Sequence, residues 1–63
     1  MYKNLENVRK KKGFTINDMA NEISKSPATY YKKETGAVSI TVKEAIKIAI
    51  KLNNTVEFLF TEK

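Results

Sequence analysis

The stretch TINDMANEISKSPATYYKKETG, residues 15–36, contains two helix starts separated by one short turn. Thr15 followed by Asp18 three residues later is typical of a capping box. Ser26 followed by Pro27 is typical of an N-cap and a first helical residue, because proline lacks only an amide that would have no partner there. Two short helices joined by so few residues cross at a steep angle, so the pattern predicts a helix-turn-helix.

Hydrophobic periodicity predicts three more helices around this pair. The fourth helix starts at Thr41 with Glu44, and its apolar residues cover about 200° of the helical wheel, which predicts contact on several sides and a central place in the core. The alternative for this helix is a membrane-surface position with its lysines at the edge. The predicted fold class is all-α, a compact five-helix arrangement in one domain of residues 1–63. The expected helices are 4–12, 15–23, 27–35, 41–52 and 55–60.

Composition narrows the possible functions. The chain has 63 residues, no cysteine and no histidine. It therefore lacks disulfides, the commonest zinc ligands, the usual general base and the usual thiolate nucleophile. No carboxylate pair has a spacing suited to acid and base catalysis, and no glycine-rich phosphate loop is present. We expect no catalytic residue, no metal, no cofactor and no small-molecule ligand, and hence not an enzyme.

The net charge of +5 is unevenly distributed along the chain. Residues 1–33 carry eight basic and three acidic side chains, whereas residues 34–63 carry four of each. A localised basic field suits a polyanion, either a nucleic acid or an anionic membrane surface, and the alternative is that the charge serves only solubility. No signal peptide or spanning stretch is visible, so the expected location is the cytoplasm, with no membrane partner.

Seven short groups of residues carry a resemblance to a known family through their positions relative to one another. They are Arg9, Gly13-Phe14-Thr15, Met19-Ala20, Ser26 with Thr29, Glu34-Thr35-Gly36, Ala45-Ile46-Lys47-Ile48-Ala49 and Val56-Glu57-Phe58-Leu59-Phe60. Together they resemble the helix-turn-helix domain of phage Cro and repressor proteins, the XRE type of sequence-specific DNA-binding regulators, over essentially the whole chain. The resemblance implies a repressor-like domain that occupies an operator in double-stranded DNA, in the nucleoid when bound.

The third helix is the expected recognition helix, the one that contacts the bases of DNA. On a helical wheel four of its residues share one arc of about 140°, namely Pro27, Ala28, Tyr31 and Lys32. This arc points outward if Tyr30 faces the core. The side chain of Lys32 can donate to guanine or phosphate, and Tyr31 can stack or donate its hydroxyl, although either tyrosine could instead be a packing residue. The residues expected to contact DNA are Ser26, Pro27, Ala28, Tyr31, Lys32, Thr15, Asn17, Lys25 and Thr35.

The resemblance also implies an internal ion pair between Arg9 and Glu34, which joins the first helix to the end of the third. The adjacent lysines 10–12 then either form a solvated face or approach the DNA backbone. At the other end of the chain, the resemblance implies a homodimer contact. The residues expected to make it are Val56, Phe58 and Leu59. The alternative for Phe58 is that it only covers the small core.

Several positions depart from the family pattern. Ile16 stands where a phosphate-binding glutamine is common, Ser24 stands where the turn often has glycine, and Lys33 replaces a residue that is usually apolar and buried. We expect Lys33 to extend its charge toward solvent or to reach outward. Fewer phosphate contacts predict weaker DNA binding. These departures keep a second function open, a helix-turn-helix module that binds a protein, as an antirepressor or antitoxin-like partner does.

Overall fold

The computed structural model describes residues 1–61, and these residues form five α-helices and no strand. The predicted all-α fold with its helix-turn-helix at the second and third helices is therefore confirmed. The helices are α1 (Lys3–Lys11), α2 (Ile16–Glu22), α3 (Pro27–Thr35), α4 (Val42–Leu52) and α5 (Val56–Leu59). Each difference from the expected ranges is a one-residue shift at a helix end, and α5 is a single turn.

Side-chain caps define where four of the helices begin. Thr15 and Thr41 each accept a hydrogen bond from the amide three residues later, and the carboxylate at that position accepts one from the threonine amide. Ser26 and Thr55 cap α3 and α5 with their hydroxyl oxygens. Each cap satisfies an amide that has no partner within its helix, so these starts are fixed locally by sequence.

The turn between α2 and α3 is short and left-handed. Ser24 has φ of 57°, a region that favours glycine, and the amide of Lys25 donates to the carbonyl of Ala20 at 3.0 Å. The chain thus makes the bend without the glycine that is common in the family at this point. At the other end of α3, Gly36 ends the helix with φ of 89°.

The core is built from large apolar side chains contributed by all five helices. α2 packs most closely on α3, α5 lies on α1, and α4 contacts both α2 and α5. The largest fully buried side chains of the apolar core are Leu5, Met19, Tyr30, Ile48, Leu52 and Leu59.

The expectation that α4 makes contact on several sides holds for α2 and α5, but part of its apolar arc is uncovered. Val42, Ile46 and Ile50 are 77%, 47% and 74% exposed, whereas the small and branched residues on the adjoining arc are buried. The apolar arc of the helix is wider than its neighbours can cover, so about 80° of it faces solvent.

The C-terminal turn is held against the start of the chain. Asn4 donates from its side-chain amide to the carbonyl of Phe58 at 2.9 Å, and the rings of Tyr2 and Phe60 meet edge to face at 5.2 Å. None of the helices within residues 1–61 has the length and apolar content needed to cross a lipid bilayer.

Candidate nucleic-acid interface

Helix α3 divides into one exposed and one buried side. Pro27, Ala28, Tyr31 and Lys32 are exposed and lie within an arc of about 140°. Tyr30, Lys33 and Glu34 occupy the opposite arc and are buried. The helix therefore presents a continuous side to solvent along its first two turns, and that side contains a cation, a phenol and two small apolar groups.

The first residues of α3 are arranged by Ser26. Its hydroxyl oxygen accepts from the amide of Thr29 at 3.2 Å and donates to the hydroxyl of Thr29 at 2.9 Å. Ser26 is exposed, but its hydroxyl proton is already used inside the chain. Proline at the first position of α3 has no amide hydrogen, so the amide of Ala28 is the donor of the first turn that an anion such as phosphate can meet.

The last turn of α3 is joined to α1 by a buried ion pair. Arg9 donates from Nε to Glu34 Oε2 at 2.8 Å and from Nη2 to Glu34 Oε1 at 3.2 Å. A third donor of this guanidinium is also engaged, since Nη1 donates to the carbonyl of Phe14 at 3.0 Å. A two-pronged pair of this kind fixes orientation as well as distance.

Tyr30 completes this network from within the helix. Its hydroxyl donates to Glu34 Oε2 at 2.9 Å, so one carboxylate oxygen accepts from both the phenol and the guanidinium. Burial, with the adjacent Glu34 carboxylate, raises the pKa of Tyr30 well above its usual range. Burial opposes the charge on Arg9, but the hydrogen bond and charge of Glu34 outweigh it and raise the pKa of the guanidinium.

A second buried ion pair, one residue earlier in α3, was not predicted. Lys33 lies 3.0 Å from Glu44 Oε1 and donates to the carbonyl of Ser39 at 3.0 Å. The expectation that Lys33 reaches outward is wrong, because the capping carboxylate of α4 lies within its reach. Burial opposes ionisation of Glu44, but the amide of Thr41 and the charge of Lys33 lower its pKa. A sequence signal existed, since a family position that is usually apolar holds a lysine and a capping box supplies a carboxylate.

The remaining residues expected to contact DNA do not all lie together. Thr15, Asn17 and Lys25 are exposed at the start of α2 and in the turn before α3. Thr35 shares the outward arc of α3, but it lies about 12 Å along the axis from the first residue and is half-buried. Its hydroxyl donates to the carbonyl of Lys32 at 3.0 Å.

The basic run at the end of α1 is divided among three roles. Arg9 is internal, and Lys10 pairs with Glu6 at 3.0 Å on the surface of the same helix. Lys11 and Lys12 are exposed and form no ion pair with another side chain of residues 1–61. They are the members of the run that remain available to a polyanion.

Among the residues expected to form a dimer contact, Leu59 is placed differently from the expectation. It is fully buried in the core of the chain, because α5 docks with this side chain inward, so Leu59 cannot meet a second copy. Val56 is partly buried against the same core, whereas Phe58 is 49% exposed. Of the three residues, Phe58 offers the most open surface.

Comparison with known families matches residues 5–59 to the Helix-turn-helix family. The match covers most of the chain, so the chain belongs to this family, the Cro/repressor-like, XRE-type group of helix-turn-helix proteins. As a member, it is of the DNA-binding regulator class. No curated protein and no solved structure matches the chain.

Proposed function

We propose that this protein is a sequence-specific transcriptional regulator that occupies an operator by placing the exposed side of α3 in the major groove. The observation that carries the proposal is the division of α3 into an outward arc and a buried arc. The outward arc begins at the N-terminal end of the helix, the end that leads into the groove in helix-turn-helix docking. The buried arc holds that side in one orientation relative to the body.

Lys32 and Tyr31 are the proposed readers of sequence. The lysine ammonium can donate to O6 and N7 of guanine, and the tyrosine hydroxyl can donate to a base or a phosphate. Pro27 and Ala28 offer only apolar contact, such as with the methyl group of thymine. Ser26 lies at the exposed tip of α3, where its hydroxyl already bonds the amide and the hydroxyl of Thr29.

The proposed contacts with the DNA backbone come from residues that flank α3. Thr15, Asn17 and Lys25 are exposed ahead of the helix, and Thr35 lies at its far end. Lys11 and Lys12 add positive charge that draws the chain toward a polyanion. With so few cations available to phosphate, we expect a shallow dependence of affinity on salt concentration.

The proposed regulator binds as a homodimer through Phe58, with Val56 beside it. An isologous contact would place two copies of α3 on half-sites about 34 Å apart, one turn of DNA. Leu59 supports this arrangement only from inside the core. A protein that acts on an operator works in the cytoplasm, on the nucleoid, and needs neither a cofactor nor a catalytic group.

The test is selection of duplex DNA from a random pool, followed by titration of the selected site at several salt concentrations. We expect a palindromic site and an affinity that falls as salt rises. Lys32→Ala should weaken binding to the selected site by about 1–3 kcal/mol and relax the preference for one base pair. No enriched site, or no salt dependence, would contradict the proposal.

Two control variants separate an effect on base recognition from an effect on the stability of the fold. Lys3→Ala removes the same charge beside the opposite end of α3, where the amide of Tyr2 donates to the carbonyl of Glu34, and should leave base preference unchanged. Arg9→Ala should chiefly lower the melting temperature, because Arg9 is buried in its pair with Glu34. Loss of base preference with an unchanged melting temperature in Arg9→Ala, together with a lowered melting temperature in Lys32→Ala, would show that the two roles are assigned to the wrong residues.

A second candidate function is a protein-binding module with weak DNA binding. The observation in its favour is the apolar tip formed by Pro27 and Ala28, which is exposed where polar readers are common in the family. In that case the outward side of α3 would contact a protein. Protection of α3 from hydrogen exchange by a cell extract treated with nuclease, and not by DNA, would support this function over the first.

A further inference from the structure

Helix α4 carries an apolar strip that no part of residues 1–61 covers. Val42, Ile46 and Ile50 are spaced four apart, so they lie one above the other within about 80° of the helix surface. We call these three residues the α4 strip. Its two outer members are each about three-quarters exposed. Single exposed aliphatic residues are ordinary, but a contiguous strip of this kind is typical of an interaction surface.

The strip plays little part in the core of the chain itself. The core side of α4 is formed by Ala45, Ile48, Ala49 and Leu52, all of them buried. The helix start is secured separately by the capping box of Thr41 and Glu44. Exposing aliphatic side chains forgoes the stabilisation that their burial would bring, so the strip is better explained by a contact outside residues 1–61.

One flank of the strip is basic. Lys43 and Lys47 follow Ile50 around the helix at steps of about 20–40°, and both are exposed. Within residues 1–61 neither of them forms an ion pair. The third lysine of the helix differs, since Lys51 lies 3.5 Å from Glu22 and 4.6 Å from the ring centre of Phe14.

We propose that the α4 strip and its two lysines form a docking site for an amphipathic helix of another protein, one that carries acidic residues along one edge of its apolar face. Residues spaced four apart on a partner helix match the spacing of the strip, as in helix-in-groove recognition. Carboxylates at the edge of that face meet Lys43 and Lys47, which gives the contact its orientation and its preference for an acidic partner.

A second copy of the chain fits this surface less well. If two copies of α4 met antiparallel across the strip, the lysines of both chains would lie on the same flank and repel one another. If they met parallel, each lysine row would face the flank of α4 next to Ala45 and Ala49, where α4 itself supplies no carboxylate. Charge complementarity therefore favours a different, acidic partner. The site is separate from the outward side of α3, so the inference does not depend on DNA binding.

The test uses two synthetic helical peptides with the same apolar positions, one edged with glutamate and one with lysine. Each is titrated into the isotope-labelled full chain and followed by amide chemical shifts. We expect the glutamate peptide to shift resonances of α4 and to bind at least about tenfold more tightly than the lysine peptide. A peptide with the composition of the glutamate peptide but a scrambled order should bind weakly, because it lacks the apolar strip.

Matched variants decide whether the predicted residues form the site. Ile50→Glu should weaken the glutamate peptide at least about tenfold with an unchanged melting temperature, because this side chain is mostly exposed. The double variant Lys43→Glu, Lys47→Glu should reverse the preference toward the lysine peptide. Lys11→Glu with Lys12→Glu makes the same charge change on α1 and should leave peptide affinity within about twofold.

Other results would overturn the inference. Equal binding of the two ordered peptides, or shifts confined to α1 and α3, would mean that the peptide binds by charge alone or at the DNA-binding face. A dimer in sedimentation that Ile50→Glu dissociates would assign the strip to a second copy. Binding to vesicles of phosphatidylcholine and phosphatidylserine that Ile50→Glu abolishes would assign it to a lipid surface.

Discussion

At its start α3 is held by local hydrogen bonds on the surface, whereas at its end it is held by two buried ion pairs. The start depends on Ser26 and Thr29, three residues apart, and on a left-handed turn at Ser24. At the end, Glu34 is paired with Arg9 in α1 and Lys33 with Glu44 in α4. The end is thus anchored to the rest of the fold, while the proposed groove-entering part is supported locally.

This difference explains how so small a core can orient α3, the proposed recognition helix. Two pairs of opposite polarity on adjacent residues hold the last turn of α3 from two directions, and neither pair occupies the outward arc. The N-cap at the start contributes about 1 kcal/mol from within α3 itself, and the exposed residues that follow it can vary for recognition. A buried ion pair adds little to the net free energy of unfolding, but removal of one partner leaves the other charge buried and lowers stability strongly.

The largest expected effect comes from breaking the deeper pair. Glu34→Ala leaves the guanidinium of Arg9 buried with only the carbonyl of Phe14 as an acceptor, and it removes the acceptor of Tyr30 as well. We expect a loss of about 3–5 kcal/mol in the free energy of unfolding, measured by urea denaturation. For a chain of this length that approaches the whole stability, at about 0.05–0.15 kcal/mol per residue.

Two further variants make this result interpretable. Glu34→Gln keeps an acceptor for both donors and should lose less than Glu34→Ala, so it provides a folded intermediate case. Glu57→Ala removes an exposed carboxylate and should change stability by no more than about 0.5 kcal/mol. Equal losses in Glu34→Ala and Glu57→Ala would mean that the buried pair does not anchor the end of α3.

Next in size is the second pair at the same end. Lys33→Met keeps the apolar stem but removes the ammonium that contacts Glu44 and the carbonyl of Ser39. We expect a loss of about 1–3 kcal/mol by urea denaturation, smaller than for Glu34→Ala, because Glu44 keeps the hydrogen bond from the Thr41 amide. Lys33→Arg, which retains the charge, should recover part of the loss. If Lys33→Met is neutral or stabilising, the pair between Lys33 and Glu44 does not anchor the end of α3.

A smaller effect should follow from alkaline pH at the buried phenol. Because burial raises the pKa of folded Tyr30, its stabilisation is fully present below the unfolded value of about 10 and is lost as pH rises above it. The measurement is the difference in unfolding free energy between the natural chain and Tyr30→Phe, from pH 8 to pH 11. This difference should shrink above pH 10 by up to about 1.4 kcal/mol per pH unit, and a constant difference would contradict the buried hydrogen bond.

The sequence was sufficient to predict features that depend on residues close together in the chain. It was not sufficient to predict features that depend on how one helix packs on another. The capping residues Thr15, Ser26 and Thr41 act on amides three positions away, so their spacing alone locates the helix starts. The Lys33 to Glu44 pair joins two helices, and both residue types are ordinarily solvent-exposed, so only the packed structure brings them together.

The same limit applies to the apolar surfaces. A helical wheel predicts the width of the apolar arc of α4, but not how much of it the neighbouring helices cover, and Ile50 is exposed for that reason. In α5, Phe58 and Leu59 differ by about 100° around the helix, so the docking angle on α1 decides which one is buried. The family resemblance predicted the apolar character of this segment and not that choice.

The smallest expected effect is a gain at the start of α3. Ser24 adopts φ of 57°, where a side chain costs roughly 1–2 kcal/mol, and glycine would relieve that strain while losing about 0.5–1 kcal/mol to the greater freedom of its unfolded chain. We therefore expect Ser24→Gly to raise the free energy of unfolding by about 0.5 kcal/mol, measured by thermal melting. Asn53→Gly is the matched control, since Asn53 has φ of 52° at the end of α4 and asparagine tolerates this region better than serine. A larger gain at Asn53 than at Ser24 would mean that the turn before α3 is not the strained one, and an unchanged melting temperature in Ser24→Gly would show that strain at this turn does not limit stability.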